Sequence, residues 1–210
     1  MWSKPIRTIR DDESATVAPV SDQQLDAPGP GDETAPLAVH RAFAFIDICA
    51  FTTFCDRNGE QAALELLTQF RALTREVVGR RGVRVAKWLG DGVMLVGTDP
   101  APLAAAAVEL EGRCRGVGIH THGGLAAGPV LMFEGDDYVG RTVNLAARLC
   151  DAAGKGEVLA VDVGPGLPDW VEIRREFPVA LPGMGRIDGV AHLTARADID
   201  TVLREGHSAA

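Results

Sequence analysis

Up to about residue 38 the chain carries no sustained apolar period, and Pro5, Pro19, Pro28, Pro30 and Pro36 interrupt it among several Asp and Glu. A segment of that kind buries too little apolar surface to offset the entropy lost on ordering. Residues 1–38 are therefore read as a disordered or weakly docked, acidic, proline-rich arm. From Arg41 the pattern changes. Ala42 to Ile48 is a short apolar run rich in Phe and Ile, predicted as a buried strand, although periodicity alone does not separate it from a helix. Asn58-Gly59 is expected to open a helix. Between Glu60 and Arg80 the positions Ala63, Leu66, Leu67, Phe70, Leu73 and Val77 recur at spacings of three and four, which is the stripe of an amphipathic helix with Arg71 and Arg75 turned outward. Gly82 is expected to end it.

Val83 and Val85, then Val93 and Leu95, flank Gly90-Asp91-Gly92, a pattern that predicts a tight hairpin with Asp91 at its tip. An alanine-rich helix is predicted from Pro102 to about Arg115, with proline just inside its start. Val117 to His120 and Leu125 to Met132 are predicted as strands separated by glycine-rich turns. Asp136-Asp137 precede a predicted helix at Val143 to Leu149, which puts Asn144 and Arg148 on one face. Strands near Val158 to Val161, Val171 to Val179 and Ala191 to Ala195 complete a folded region of residues 39–198, followed by a tail at 199–210. The element order predicts an α/β (α+β) fold, a ferredoxin-like βαββαβ sandwich with extra C-terminal strands.

Composition narrows the function classes. The chain has 210 residues, 46% of them hydrophobic and 24% charged, enough for one sizeable core. No stretch approaches the roughly 18 apolar residues of a membrane span, and the expected location is cytoplasmic. Cys49, Cys55, Cys114 and Cys150 lack Cys-x-x-Cys spacing and are read as reduced thiols. A net charge of −8 argues against a general grip on nucleic acid, which needs a basic face, but leaves room for a nucleotide whose phosphates a metal neutralises.

The candidate chemistry rests on combinations. Asp47 ends one apolar run and Asp91 sits in the hairpin turn, so two carboxylates distant in sequence can share a hard divalent cation that also carries phosphate. Each alone reads as a strand-end cap or a turn aspartate. Lys87 alone is a surface lysine; beside Asp137 it offers a donor and an acceptor complementary to the edge of adenine. Asn144 and Arg148 are helix-surface groups or, facing a cleft, a ribose-orienting amide and a guanidinium that stabilises phosphoryl charge. His120 and His122 lie two apart with no third ligand evident and are read as structural. Trp88 is expected to pack in the core.

Phe45-Ile46-Asp47-Ile48 with Phe51-Thr52, Lys87 to Gly92, Gly118-Ile119-His120, and Asp137 through Arg148 together resemble the class III adenylate and guanylate cyclase catalytic domain, from about Arg41 to about Ala195. The resemblance implies a metal set of Asp47, Ile48 and Asp91 holding two Mg²⁺ or Mn²⁺ ions. It further implies Lys87 and Asp137 as the adenine-selecting pair, Asn144 and Arg148 as the catalytic pair, and Phe51 and Thr52 in a loop that approaches the phosphates. The implied activity is adenylate cyclase, giving 3′,5′-cyclic AMP and pyrophosphate from ATP at sites shared across a head-to-tail homodimer. Two positions depart from the family pattern. Ala50 replaces a glycine before Phe51, and Pro182-Gly183-Met184-Gly185-Arg186 lacks the phosphate-binding lysine, with Arg186 a displaced substitute. The alternative reading is a cyclase-like module of low or no activity that binds nucleotide or dimerises for regulation. Another two-carboxylate phosphoryl-transfer enzyme, a polymerase palm or a diguanylate cyclase, is disfavoured by the Asn144 and Arg148 helix.

Overall fold

Strand β1 (Leu37–Ile48) shows why an apolar run rather than a strict alternation marks the centre of this sheet. Ala42, Ala44, Ile46 and Ile48 face one layer of helices, while Phe43 and Phe45 face a separate apolar cluster on the other side. A strand covered on both faces has no solvent side to carry polar residues. A computed structural model of the chain describes residues 37–133, 137–197 and 199. The chain divides between Ala35 and Pro36, and everything described here belongs to the second unit. The expected arm lies outside the described residues except for Leu37 and Ala38, which already belong to β1. The expected tail lies outside them except for residue 199.

After β1 come α1 (Phe51–Arg81), β2 (Arg84–Leu89), β3 (Gly92–Gly97), α2 (Pro100–Gly116), β4 (Thr121–Phe133), β5 (Asp137–Val139), α3 (Arg141–Ala152), β6 (Val158–Val161), β7 (Val171–Leu181) and β8 (Gly185–Ala195). One eight-stranded sheet runs in the order β2-β3-β1-β4-β6-β8-β7, with β5 paired to β4. Its first four strands carry the antiparallel order of the predicted βαββαβ unit. The additions are β6, parallel to β4, and the β7-β8 hairpin.

Two helices cover one face. Ala63, Phe70, Leu73, Thr74, Val77 and Val78 form the buried stripe of α1, and Gly82 ends the helix at φ 66°, a left-handed conformation that suits glycine. The helix starts earlier than expected, at Phe51, and Gly59 (φ 83°, ψ 171°) leaves helical geometry within it. The Asn58-Gly59 signal therefore marks a break between two helical pieces and not the opening of one. In α2, Leu103 through Cys114 are buried, the charged Glu109, Glu111 and Arg113 included. Glu109 accepts from Arg80 at 2.9 Å and from Arg81 at 2.7 Å, Arg113 donates to Glu76 at 2.8 Å, and Glu111 pairs with Arg115 at 3.1 Å, so these charges are paired.

The predicted strand at Val117 to His120 does not form. The N–H groups of Val117 and Ile119 donate to the Cys114 carbonyl and that of Gly118 to the Arg115 carbonyl, which closes the last turn of α2. The strand starts at Thr121 and continues through Gly123-Gly124, where a turn was expected. A Cβ on Gly124 would overlap the backbone of α3 at Ala146, Leu149 and Cys150. Glycine is there to let a helix seat directly on the strand, not to turn the chain.

Candidate active site

Asp47 is the penultimate residue of β1, opposite Gly92 on β3 and His122 on β4. A Cβ on Gly92 would lie 2.7 Å from Asp47 Oδ1, so the glycine gives this carboxylate its room. Asp91 is in the β2-β3 turn beside Gly90 (φ 74°), and its carbonyl accepts from the Ile48 N–H at 3.3 Å. Burial, and then the charge of Asp47, push the Asp91 carboxyl above its ordinary value. A carboxyl raised in this way beside a second carboxylate is one that a cation relieves. Asp47 and Asp91 line a pocket of about 220 Å³ with Ile46, Cys150 and Asp151. Among the described residues no three His, Cys, Asp or Glu side chains converge to hold a metal alone. The donor set fits a divalent cation whose other positions go to backbone, water and phosphate oxygens. The Ile48 side chain is buried in the core, so its contribution to such a site is through the backbone.

Sequence reading missed His122. Its Nδ1 lies 2.8 Å from the Cys150 carbonyl and its Nε2 3.7 Å from Asp47 Oδ2. The neighbouring Asp47 carboxylate raises the imidazole pKa against the opposing effect of burial. His120 is outside the strand, its pKa lowered by burial and by the charges of Lys155 and Arg115. The cysteines beside the site are not activated thiols. Burial raises Cys49 and pushes Cys150 up to about 12.

Lys87 on β2 pairs with the Asp137 carboxylate at the start of β5. The two line a pocket of about 200 Å³ with Ala86, Met94, Tyr138 and Val143. Tyr138 is set edge-on to Phe43 with ring centroids 5.1 Å apart, which anchors β5 against the sheet. Trp88 points the other way, toward Phe70 on α1. Arg75 is exposed, as expected, and Arg71 is half-buried; they lie 5.5 and 5.1 Å from the Trp88 ring centroid and hold it by cation–π contact.

Asn144 and Arg148 are exposed on α3 and line a pocket of about 380 Å³ with Pro182, Gly183 and Met184 of the β7-β8 turn. Arg148 donates to Asp151 at 3.0 Å. Arg186 is exposed and paired with Asp188 at 2.8 Å, and it does not line that pocket. Phe51 and Thr52 begin α1 after Ala50, which adopts φ 56°, ψ 33° and makes no side-chain cap. The six polar residues thus meet as three pairs within one chain, and none of these pockets holds more than one pair.

No family model matches the chain. An uncharacterized protein of Mycobacterium tuberculosis is 38% identical over 156 residues, which cover 73% of this chain and 40% of that protein. An adenylate cyclase of Glutamicibacter nicotianae is 34% identical over 133 residues, covering 62% of this chain and 33% of the cyclase. The chain therefore spans well under half the length of these curated relatives. Among solved structures, the catalytic core of a rhodopsin-guanylyl cyclase with converted specificity, in complex with ATPαS, superposes with TM-score 0.66 at 20% identity. That match covers 78% of this chain and 99% of the other. The adenylyl cyclase CyaB of P. aeruginosa superposes with TM-score 0.63 at 24% identity, over 78% and 98% of the two chains.

Proposed function

The chain has the fold of the class III adenylyl and guanylyl cyclase catalytic domains, and from that premise we propose that it is a nucleotide cyclase acting on ATP. The observation that carries the reading is the convergence of Asp47 and Asp91 on one pocket that Gly92 also lines, with the Asp91 carboxyl pushed up by its surroundings. A divalent cation there, two Mg²⁺ or Mn²⁺ ions per site in the full reading, would activate the ribose 3′-hydroxyl and neutralise triphosphate charge. Lys87 and Asp137 select adenine by donating to a ring nitrogen and accepting from the exocyclic amine. Asn144 orients the ribose, and Arg148 stabilises charge on the α-phosphate. The 3′-hydroxyl gives its proton to water, and its oxygen bonds to the α-phosphorus as the bond to the pyrophosphate leaving group breaks. The products are 3′,5′-cyclic AMP and pyrophosphate.

The head-to-tail homodimer that the family resemblance implies takes Asp47 and Asp91 from one chain and the rest from its partner; within one chain Lys87 and Asp137 line a pocket apart from the other two pairs, whose pockets meet at Ala147. Leu89 in the metal pocket and the paired Leu131 and Val139 expose apolar side chains that such a contact would cover. Among the described residues no helix is long and apolar enough to cross a membrane.

One observation favours the second reading, a cyclase-like module of low or no activity: Met184 takes the place of a cationic side chain in the pocket of Asn144 and Arg148. Assaying purified protein for cyclic AMP with Mn²⁺-ATP separates the two. Product formation abolished by Asp47→Ala supports the enzyme; nucleotide binding without turnover supports the module.

A further inference from the structure

Three segments meet beside the first two turns of α1, and backbone hydrogen bonds hold them there. The Cys49 N–H, between β1 and α1, donates to the His120 carbonyl at 2.8 Å, and the Gly156 N–H, between α3 and β6, donates to the Thr121 carbonyl at 2.8 Å. The turn that carries Lys155 is closed further by the Gly154 N–H, which donates to the Glu157 carboxylate at 2.8 Å. Between these segments lies a pocket of about 310 Å³ with Cys49, Phe54, Arg57, His120 and Lys155 in its lining. It shares no lining residue with the pockets of the three polar pairs. Its charge is one-sided: Arg57 and Lys155 line it, and no Asp or Glu does. Among the described residues neither cation is in an ion pair. The carboxylates nearby are already taken, Glu111 by Arg115 at 3.1 Å and Glu157 by Arg175 at 2.7 Å. Burial, and then the charges of Lys155 and Arg115, lower the His120 pKa, as a positive field lowers that of any imidazole. In a chain of net charge −8, two unbalanced cations on one pocket are out of keeping with the composition.

A lysine ammonium offers three donors and a guanidinium a planar fork of five, and neither accepts, so the ligand they call for is an anion. A single carboxylate balances one of these charges; a phosphate dianion balances both and presents an acceptor oxygen to each. We propose that this pocket is an oxyanion site that holds a phosphate group between Lys155 and Arg57. Free phosphate and the terminal phosphate of a nucleotide present the same chemistry to it, and competition with ATP tells them apart. Because the pocket has no residue in common with the cation pocket, the site stands without the reading of Asp47 and Asp91.

The test is isothermal titration calorimetry of the purified full chain with inorganic phosphate, at low ionic strength and with no divalent cation. Saturable binding is expected. Lys155→Ala and Arg57→Ala should each raise the phosphate Kd roughly 10- to 100-fold, the loss of a hydrogen bond to a charged group, and Lys155→Arg should keep most of the affinity. Both side chains are exposed, so neither substitution opens the core, and thermal melting checks that each variant is folded. Arg174→Ala removes an exposed charge on β7 that does not line the pocket, and it should bind phosphate as the wild type does. Asp47→Ala should bind phosphate at least as tightly as the wild type, which keeps this result separate from the cation reading; loss of binding there would move the phosphate to the carboxylate pocket and overturn the proposal. Displacement of phosphate by ATP supports a site for the terminal phosphate of a nucleotide, and phosphate affinity unchanged at saturating ATP supports a site for the free ion. Absence of saturable phosphate binding, wild-type Kd in the Lys155→Ala, Arg57→Ala double variant, or an equal loss in Arg174→Ala overturns the site.

Discussion

Lys87 and Asp137 form an ion pair between β2 and β5 within a single chain, their side chains 53% and 37% exposed. A pair that open contributes at most about 1 kcal/mol to folding, so its placement in the pocket of Tyr138 and Val143 matters more for recognition than for stability. Lys87→Ala should leave the melting temperature almost unchanged and lower kcat/KM for ATP by roughly 10- to 100-fold, the loss of a charge-assisted hydrogen bond to the base. Lys87→Glu should shift the ATP to GTP turnover ratio toward GTP. An unaltered ratio in both variants would remove this pair from purine choice.

Ala50 holds φ 56° and ψ 33° immediately before α1. An L-residue with a Cβ is disfavoured in that region by about 1–2 kcal/mol, whereas glycine is not, though glycine also gains entropy in the unfolded chain. Ala50→Gly should therefore stabilise the protein by up to about 1 kcal/mol, a rise of roughly 2–4 °C in Tm. A drop in Tm on calorimetry would mean that the methyl group makes a contact worth more than the strain.

How much of this was legible beforehand differs by the kind of signal. Asp47 and Asp91 were readable because each terminates or turns an apolar run, and Gly82 because a helix end favours a residue free to adopt positive φ. Gly123-Gly124 misled for a physical reason: a turn glycine and a glycine that lets a helix lie on a strand look alike in one dimension, and only the seat of α3 distinguishes them. Val117 to His120 was misread because the capping turn of α2 borrows β-forming residues. His122 was invisible as a site residue because its place beside Asp47 is set by strand register between segments far apart in sequence. Local pattern holds no record of which residue will be opposite.

Burial, and then Asp47, raise the Asp91 pKa. A carboxyl whose folded pKa lies above its unfolded value favours the folded state most when protonated, below the unfolded pKa, and that contribution is lost as pH rises through the folded pKa. At neutral pH the cation-free protein therefore carries an unfavourable charge. Asp91→Asn should raise the Tm of the cation-free protein at pH 7 while abolishing its Mn²⁺-induced stabilisation. In the wild type, the Mn²⁺-induced rise in Tm should shrink as pH falls toward the raised pKa. A Tm for Asp91→Asn that falls at pH 7 would contradict the assignment of strain to this pair.

Gly92 and Gly124 are both too crowded for a side chain, but the neighbours differ. At Gly92 a Cβ overlaps the Asp47 carboxylate, a group that can swing away, and meets backbone only at 3.2 Å, the Ile46 carbonyl; at Gly124 it overlaps helix backbone at 2.6 Å or less, which cannot move aside. Gly124→Ala should destabilise by about 3 kcal/mol or more, since overpacking that shifts backbone lies at the upper end of such costs. Gly92→Ala should instead spare most of the stability and weaken Mn²⁺ binding at least 10-fold by displacing Asp47. Paired measurements of Tm and Mn²⁺ Kd on the two variants test the contrast; equal loss of stability in both would sink it.

Asp91 and Arg148 line adjoining pockets that meet at Ala147, and whether one chain or two completes the site is testable without a further structure. If each active site takes Asp91 from one chain and Arg148 from the other, then Asp91→Ala and Arg148→Ala homodimers are both inactive. A heterodimer of the two variants places both substitutions at one site and leaves the second intact. Random exchange in an equimolar mixture makes half of the dimers mixed, each with one working site of two, so activity should recover to about a quarter of the wild-type level. A site built within one chain predicts a different result, because each variant then damages its own site whichever partner it meets, and mixing restores nothing. Subunit exchange must be shown independently, by mass spectrometry of the mixed dimers, so that absence of recovery cannot be attributed to chains that never met. Recovery with exchange supports the shared site, and exchange without recovery rejects it.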